Sequence, residues 1–345
     1  MKRKLASIQM VHDVVPIPGA ERIEMASILG WKVVVPKGEF RKGDLCVYFE
    51  IDSFLPVRPE FEFLRSSCFV RSGILGEGFR IKTRKIRGQV SQGLVLPVGI
   101  FPECTGLPVG TDVTGSLGVH KWEIEERATT GGTIIGTLPS DVPHTDETRI
   151  QAVPEILEAF RAKPYYITTK MDGSSHSISI DPDGFHVCGH NYEYRDGSFY
   201  DFVTARGYEK AMRSYMDKTG IKTLCIQGEF CAPGIQKNPL KLCAPAWYVF
   251  TVRVDGKRVG LHEMMAVTTA LGMPMVPIEE MGNDLPHLYP TVEALLERAE
   301  GSYPKGGPKE GIVVRPEEPE YCPLISGPLS MKVINNKYLL KGGKK

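Results

Sequence analysis

No stretch of this chain is apolar for long enough to cross a bilayer as a helix. Its basic start, Met-Lys-Arg-Lys-Leu-Ala-Ser-Ile-Gln-Met, lacks the apolar core of a secretory signal. A soluble intracellular protein with no membrane partner is expected. The eight cysteines, at 46, 68, 104, 188, 225, 231, 243 and 322, include no Cys-x-x-Cys pair, and no histidine spacing completes a zinc site. Reduced, mostly buried thiols follow. Net charge is equally scarce, since 42 Lys and Arg against 41 Asp and Glu leave +1. That excludes a global polycation, so any affinity for nucleic acid has to come from local patches. No internal repeat is present, and only the terminal Lys341-Gly-Gly-Lys-Lys345 reads as a disordered tail.

What is there is an ordinary globular composition, 42% apolar over 345 residues, enough for two domains. Residues 5–97 read as short strands at 5–11, 28–35, 46–51, 79–86 and 93–96, with breaks at Pro16, Pro18, Gly19, Lys37-Gly38 and Lys42-Gly43-Asp44. Five strands without long helices between them predict a small closed barrel of the OB type. Its most basic element is the string from Phe79 to Gly88. Alternation along a strand puts Arg80, Lys82 and Arg84 on one face and Lys85 and Arg87 on the other. The first three are candidate phosphate contacts for a nucleic acid, set against the plainer reading of a solvated face.

Gly, Pro and hydroxyl residues crowd 127–133 and 138–143, which marks a linker or surface loop and places the domain boundary near 125. The barrel then occupies 1–125 and a second domain 126–345. In the latter, 170–180 reads as two strands around a turn, 154–160 as a short helix begun by Pro154, and 202–218, 261–271 and 291–300 as helices. Without strict βαβ alternation this is an α+β domain of antiparallel sheets with flanking helices.

The most informative residue is Lys170. It ends the extended run Tyr165-Tyr-Ile-Thr-Thr-Lys170 at the edge of an Asp172-Gly173 turn, where its amine can meet a phosphate. Lys-x-Asp-Gly alone would occur by chance in roughly one chain in ten of this length, so it needs companions. A lysine with a pKa near ~10.4 is neutral at pH 7 only about once in several thousand molecules, a cost of roughly 4 to 5 kcal/mol to a nucleophile. Desolvation, a nearby cation or a bound metal has to depress that pKa, and the groups responsible must come from distant parts of the chain.

Four downstream segments carry suitable chemistry: Leu224-Cys-Ile-Gln-Gly-Glu229 with Phe-Cys-Ala-Pro-Gly-Ile-Gln236 after it, Trp247-Tyr-Val-Phe250, Lys309-Glu310-Gly-Ile-Val-Val-Arg315, and Leu329-Ser-Met-Lys332-Val-Ile. Each reads as a strand, rich in β-branched or aromatic residues and bounded by Gly, Pro or Asn. Taken singly, each also has a plainer reading. Glu229 and Glu310 suit solvated strand ends, Phe250 suits a core residue alternating with Tyr248 and Val252, and Lys332 suits the surface. Arg149 suits an ion pair with Asp146 or Glu147.

Together and in this order they resemble the motifs of the covalent nucleotidyltransferases, the superfamily of polynucleotide ligases and messenger-RNA capping enzymes. Pro-Gly-Ile-Gln236 after Gly-Glu229, and Asp146-Glu-Thr-Arg149-Ile-Gln151 ahead of the lysine, are similar to RNA ligases. The extra domain in front matches the ATP-dependent RNA ligases of the Naegleria and Deinococcus type. This resemblance implies that Lys170 attacks the α-phosphorus of ATP, holds AMP, and passes it to a 5′-phosphate that a 3′-hydroxyl then displaces, as in RNA repair. It further implies contact of Glu229 with the ribose, stacking of Phe250 on adenine, and Lys332 on the α-phosphate. Arg149 would meet the outer phosphates or the RNA end, while Glu310 and Asp172 hold Mg2+ or Mn2+. RNA ends, nicked duplex RNA foremost, are the implied partner.

Two departures stand out. Ser330 occupies the first position of the usual Lys-x-Lys, and His190 stands where many relatives have arginine. Two other readings remain open at this stage: a GTP-dependent guanylyltransferase of the capping type, and a non-catalytic nucleic-acid-binding protein that retains a transferase fold. The position of the barrel ahead of the lysine counts against the first. Ser330 and His190 are what favours the second.

Overall fold

The computed structural model describes residues 3–122 and 132–342. Contacts divide the chain into two compact units, Met1–Glu123 with Gln151–Pro154 and Leu339–Lys345, and Ile124–Ile150 with Glu155–Tyr338. The boundary expected near 125, most of the stretch 127–133, and residues 343–345 of the tail lie outside the described residues.

In the first unit the strand Leu45–Phe49 is central, with Ala6–Met10 and Leu94–Pro97 antiparallel on its two sides. Strand alternation divides its side chains between two cores. Val47 and Phe49 join Phe61, Phe79 and Phe101, whereas Cys46 and Tyr48 join Trp31, Val33 and Val35. A three-stranded meander, Asp13–Pro16, Ile23–Ile28 and Trp31–Pro36, carries the second core. The single strand expected at 28–35 is therefore a hairpin crossing, turned at Leu29 with φ of 52°.

The strand expected from Phe79 to Gly88 also divides. Gly76–Arg80 pairs with Ser53–Pro56 and Phe69–Ser72, the chain leaves the ladder, and Arg84–Ile86 forms a separate ribbon with Gln89–Ser91. Arg80, Lys82 and Arg84 thus do not share one strand face. They remain electrostatic neighbours even so. Burial, and then the charges of Arg80 and Arg84, hold the Lys82 amine below its usual pKa. Arg80 lies 4.7 Å over the Trp122 ring, and Arg84 donates to the Ser67 carbonyl.

The second unit is built on a seven-stranded and a five-stranded sheet. In the larger, Ser174–Asp181 sits between Gly184–Cys188 and Leu224–Cys231, with Ala246–Val254 beyond. Its sequence alternates Ser175-His-Ser-Ile-Ser-Ile180, which sorts the faces. Ile178, Ile180, Ile226 and Phe230 join Phe199, Met212, Met264 and Leu271 of the helices Ser198–Ala205, Tyr208–Thr219 and Leu261–Leu271 in one buried cluster. Each such aliphatic or aromatic burial stabilises by about 1.5 to 3 kcal/mol. The helix expected over 202–218 is two helices, broken at Gly207, whose φ is 65°. Thr291 caps Val292–Arg298, and Pro154–Phe160 is a 3-10 helix.

The serine face carries a different load. The segment at 141–147 is pinned along it, with Ser179 donating to Asp141, the Gln227 amide donating 2.8 Å to the Pro143 carbonyl, and Thr145 bonding Ser175 at 2.6 Å. Chain pinned there continues to Thr148–Arg149, which pairs parallel with Met331–Ile334 in the five-stranded sheet. Small polar residues on alternate positions thereby let an extended segment link the two sheets.

Candidate active site

The five-stranded sheet supplies the floor of a cleft of about 170 Å³. Register explains which side chains share it. Thr168 pairs with Val313 and Val313 with Lys332, while Arg315 is opposite Tyr166 and Gly311 opposite Lys170. On a strand, residues two apart share a face, so Thr168, Lys170, Val313, Arg315 and Lys332 line one surface. The seven-stranded sheet contributes Ser175, Glu229 and Phe250, the connection between its strands Gly184–Cys188 and Tyr192–Tyr194 contributes His190, and the pinned segment contributes Thr145, Asp146 and Glu147. Arg149 is the register neighbour of Lys332.

Phe250 reaches the cleft through a β-bulge. Gln227 pairs with Thr251 but Gly228 pairs with Val249, which leaves Phe250 as the unpaired extra residue. The bulge changes the expected alternation: Val249 and Val252 enter the helix-covered core, whereas Tyr248 and Phe250 pack with Met171 and Tyr303. Gly228 permits it, because a Cβ there would lie 2.7 Å from both the Trp247 indole nitrogen and the Tyr248 carbonyl.

Lys170 Nζ donates to Glu310 Oε2 at 2.7 Å, both side chains being about four-fifths buried (22% and 18% exposed). Glu229 faces the same place across the turn and accepts from the Gly173 N–H at 3.0 Å. Asp172 is buried and hydrogen-bonded to the Tyr338 hydroxyl. Burial raises the pKa of Glu229 to about 7, with the charges of Glu310 and Asp172 adding to it and Lys170 opposing. Burial, together with Glu310, likewise pushes Asp172 up.

The amine responds in the opposite sense to the one expected. Burial alone would depress its pKa, but Glu310 and Glu229 outweigh burial and hold Lys170 as an ammonium above its usual range. Three carboxylates, Asp172, Glu229 and Glu310, surround this single cation. Their excess of negative oxygen donors fits a hard divalent ion. Among the described residues no three His, Cys, Asp or Glu side chains converge as a ready-made cage.

Arg315 organises the other end. It is 6% exposed and donates to Glu147, to the Phe250 carbonyl, to Thr251 at 3.3 Å and to Ser330 at 3.3 Å, with its guanidinium 5.8 Å from the Phe250 ring centroid. Burial opposes ionisation of Glu147, yet Arg315 and Arg258 bring its pKa down to about 2. Glu147 therefore pairs with Arg315. Ser330, buried at 3%, replaces a cation with a hydroxyl that bonds both Arg315 and Glu147. His190 lies 3.6 Å from Asp146. Arg315 and Glu147 stood in the motif strings without an assigned part. Tyr303, whose hydroxyl touches the backbone of both Lys170 and Glu310, had no local signal at all.

Comparison with known proteins gives a consistent picture. An OB-fold domain model matches residues 5–98, and an RNA ligase model matches residues 163–334. Among solved structures, a Naegleria gruberi RNA ligase with pyrophosphate is 33% identical at a TM-score of 0.86, over 99% of this chain and 100% of that one. A mutant of that ligase with ATP and manganese is 32% identical at a TM-score of 0.85, over 98% of each chain. Another with AMP and manganese gives the same identity, TM-score and coverage. No match is found among curated protein sequences. Among the described residues no helix is long and apolar enough to cross a membrane.

Proposed function

The chain belongs to the RNA ligase family, and from that premise we propose that this cleft performs ATP-dependent joining of RNA 3′-hydroxyl and 5′-phosphate ends through AMP carried on Lys170. One observation carries the assignment to these residues. A lysine amine lies 2.7 Å from Glu310 in a cleft that also presents Glu229, Phe250 and Lys332. Nζ, once it has lost a proton, forms a P–N bond to the α-phosphorus as the α–β P–O bond breaks. Pyrophosphate departs, and the nitrogen releases a second proton. An oxygen of the RNA 5′-phosphate then bonds that phosphorus, the P–N bond breaks, and the amine recovers its protons. Finally the 3′-hydroxyl oxygen bonds the 5′-phosphorus, gives up its proton and expels AMP. Alignment and charge neutralisation dominate such transfers.

Within this reading Phe250 stacks on adenine, a contact of about 1 to 3 kcal/mol. Glu229 meets the ribose, Lys332 the α-phosphate, and Arg149 the outer phosphates or the RNA end. Glu310, with Asp172, holds Mg2+ or Mn2+, which when bound supplies Lewis-acid stabilisation of the phosphate charge. The RNA ends belong to a nicked duplex, and Arg80, Lys82 and Arg84 contact its phosphates. Their mutual electrostatic proximity supports that placement.

The test is to incubate the protein with manganese or magnesium and ATP or GTP labelled at the α-phosphate, and to look for acid-labile label on the protein. Label from ATP that disappears in Lys170→Ala and falls severely in Glu310→Ala is the expected result. Label from GTP alone, or none under any condition, refutes the proposal. Replacing Arg80, Lys82 and Arg84 together with alanine should weaken RNA binding and reduce its salt slope by up to about three, sparing label uptake. Unchanged binding removes those three residues from the RNA site.

A further inference from the structure

Two strands meet where the chemistry is placed, and their ladder stops there. The last register pair between Tyr165–Lys170 and Gly311–Pro316 is Lys170 with Gly311. One step further, the Glu310 N–H lies outside the strand Gly311–Pro316, and such a group needs a partner when buried. It shares that partner, a single atom, with the Lys170 carbonyl. The Tyr303 hydroxyl donates to the Lys170 carbonyl at 2.8 Å and accepts from the Glu310 N–H at 3.1 Å.

This hydroxyl is itself held firmly. Tyr303 is 4% exposed, and its ring packs with Met171, Cys231, Leu240 and Val276. Its own backbone closes a tight loop, with Tyr303 N bonded to the Gly307 carbonyl and Gly306 N to the Tyr303 carbonyl, both at 3.0 Å. The two residues just before the reacting pair are fixed as well. Thr169 Oγ1 donates to Glu279 at 2.7 Å, and Lys309 Nζ donates to the same carboxylate at 2.6 and 2.7 Å. Glu279 thus secures the residues on either side, and the phenol bridges the backbones of nucleophile and carboxylate.

We infer that Tyr303 is a positioning residue for lysine adenylylation, its hydroxyl bridging the backbones of Lys170 and Glu310 and setting the distance between them. This rests on the adenylyl-transfer reading above. It predicts a step-selective effect. The attack of Nζ on ATP depends on where the lysine backbone sits, whereas joining of an already adenylated RNA end requires no bond to that nitrogen.

The experiment uses the full-length protein with manganese and compares wild type, Tyr303→Phe and Leu240→Ala. Leu240→Ala loosens the same apolar cluster without touching the hydroxyl. Three quantities are read well below each melting midpoint: the single-turnover rate of label uptake at saturating ATP, the ATP concentration for half-maximal rate, and the rate of sealing a pre-adenylated nick. For Tyr303→Phe we expect label uptake to fall by about tenfold or more, with the half-saturating ATP and the sealing rate within about twofold of wild type. Leu240→Ala should lower the melting temperature and leave the ratio of the two rates unchanged. The inference is overturned if Tyr303→Phe labels at the wild-type rate, if both steps fall equally, or if Leu240→Ala reproduces the selective loss. Wild-type protein that takes no label from ATP would instead defeat the adenylyl-transfer reading itself.

Discussion

Replacing Gly173 with alanine probes the geometry most directly, because the turn after Lys170 leans on the neighbouring sheet. A Cβ at Gly173 would lie 2.4 Å from the Phe230 carbonyl oxygen and 2.8 Å from Cys231 Sγ, where ordinary contact begins at 3.4 Å. The turn must retreat by 3.4 − 2.4, or about 1 Å. Its N–H then moves out of range of Glu229 Oε1, now at 3.0 Å. Overpacking costs about 1 to 3 kcal/mol and the lost hydrogen bond about 1 kcal/mol, so a net loss near 2 kcal/mol is expected. For a unit of this size that lowers the melting temperature by roughly 4 to 8 °C. Because a displacement of about 1 Å next to a nucleophile costs on the order of 100-fold, label uptake from ATP should fall by about that factor. The control is Gly136→Ala, whose Cβ would meet nothing nearer than 4.0 Å. If Gly173→Ala labels within about threefold of wild type and melts with it, the close approach of turn and sheet does not govern the chemistry.

Further expectations concern charge. Arg315→Lys cannot reproduce four hydrogen bonds with one ammonium and leaves Glu147 and the Phe250 carbonyl under-satisfied, so chemical denaturation should show a loss of roughly 3 kcal/mol. A loss below about 1 kcal/mol would show that the network is not held by the fork geometry. His176 gives the acid limb of stability: burial outweighs its bond to the Ser174 carbonyl and lowers its pKa to about 4. The unfolded chain therefore binds more protons than the native one between about pH 6.5 and 4. This contribution is intact above that window and is lost as pH falls through it. Between pH 7 and pH 5 it amounts to about 2 kcal/mol, measurable by urea denaturation. His176→Phe should lessen the pH dependence by that amount, and parallel curves for the two proteins would contradict the assignment.

The glycines, serines and strands around the lysine were readable because their signals are local. Lys170 before Asp172-Gly173 announces a strand end and a turn, and Ser175-His-Ser-Ile-Ser-Ile180 sorts its two faces by alternation alone. The same rule failed where one residue was inserted. A bulge at Phe250 shifts Val252 to the opposite face, and nothing in Trp247-Tyr-Val-Phe250-Thr-Val252 marks which residue is extra. It failed too after Arg80, since leaving a ladder depends on what the partner strand offers. Gly207 interrupts the helix at 202–218 because the chain takes a left-handed turn there, which an apolar periodicity does not report.

The linear chain settled which reactive groups exist and in what order: an amine at a turn, two glutamates at strand ends, a guanidinium closing a β-branched run. Strand periodicity and turn chemistry act over a few residues, so these are written in short strings. Folding decided the pairings. Glu310, 140 positions away, rather than the nearby Asp172, holds the Lys170 amine, and Arg315 takes Glu147 from a distance of 168. Tyr303 reaches the lysine backbone across 133 residues. Such contacts follow from register and from the packing of one sheet against another, which involve many separated residues at once, and the charge state of the nucleophile is set by them.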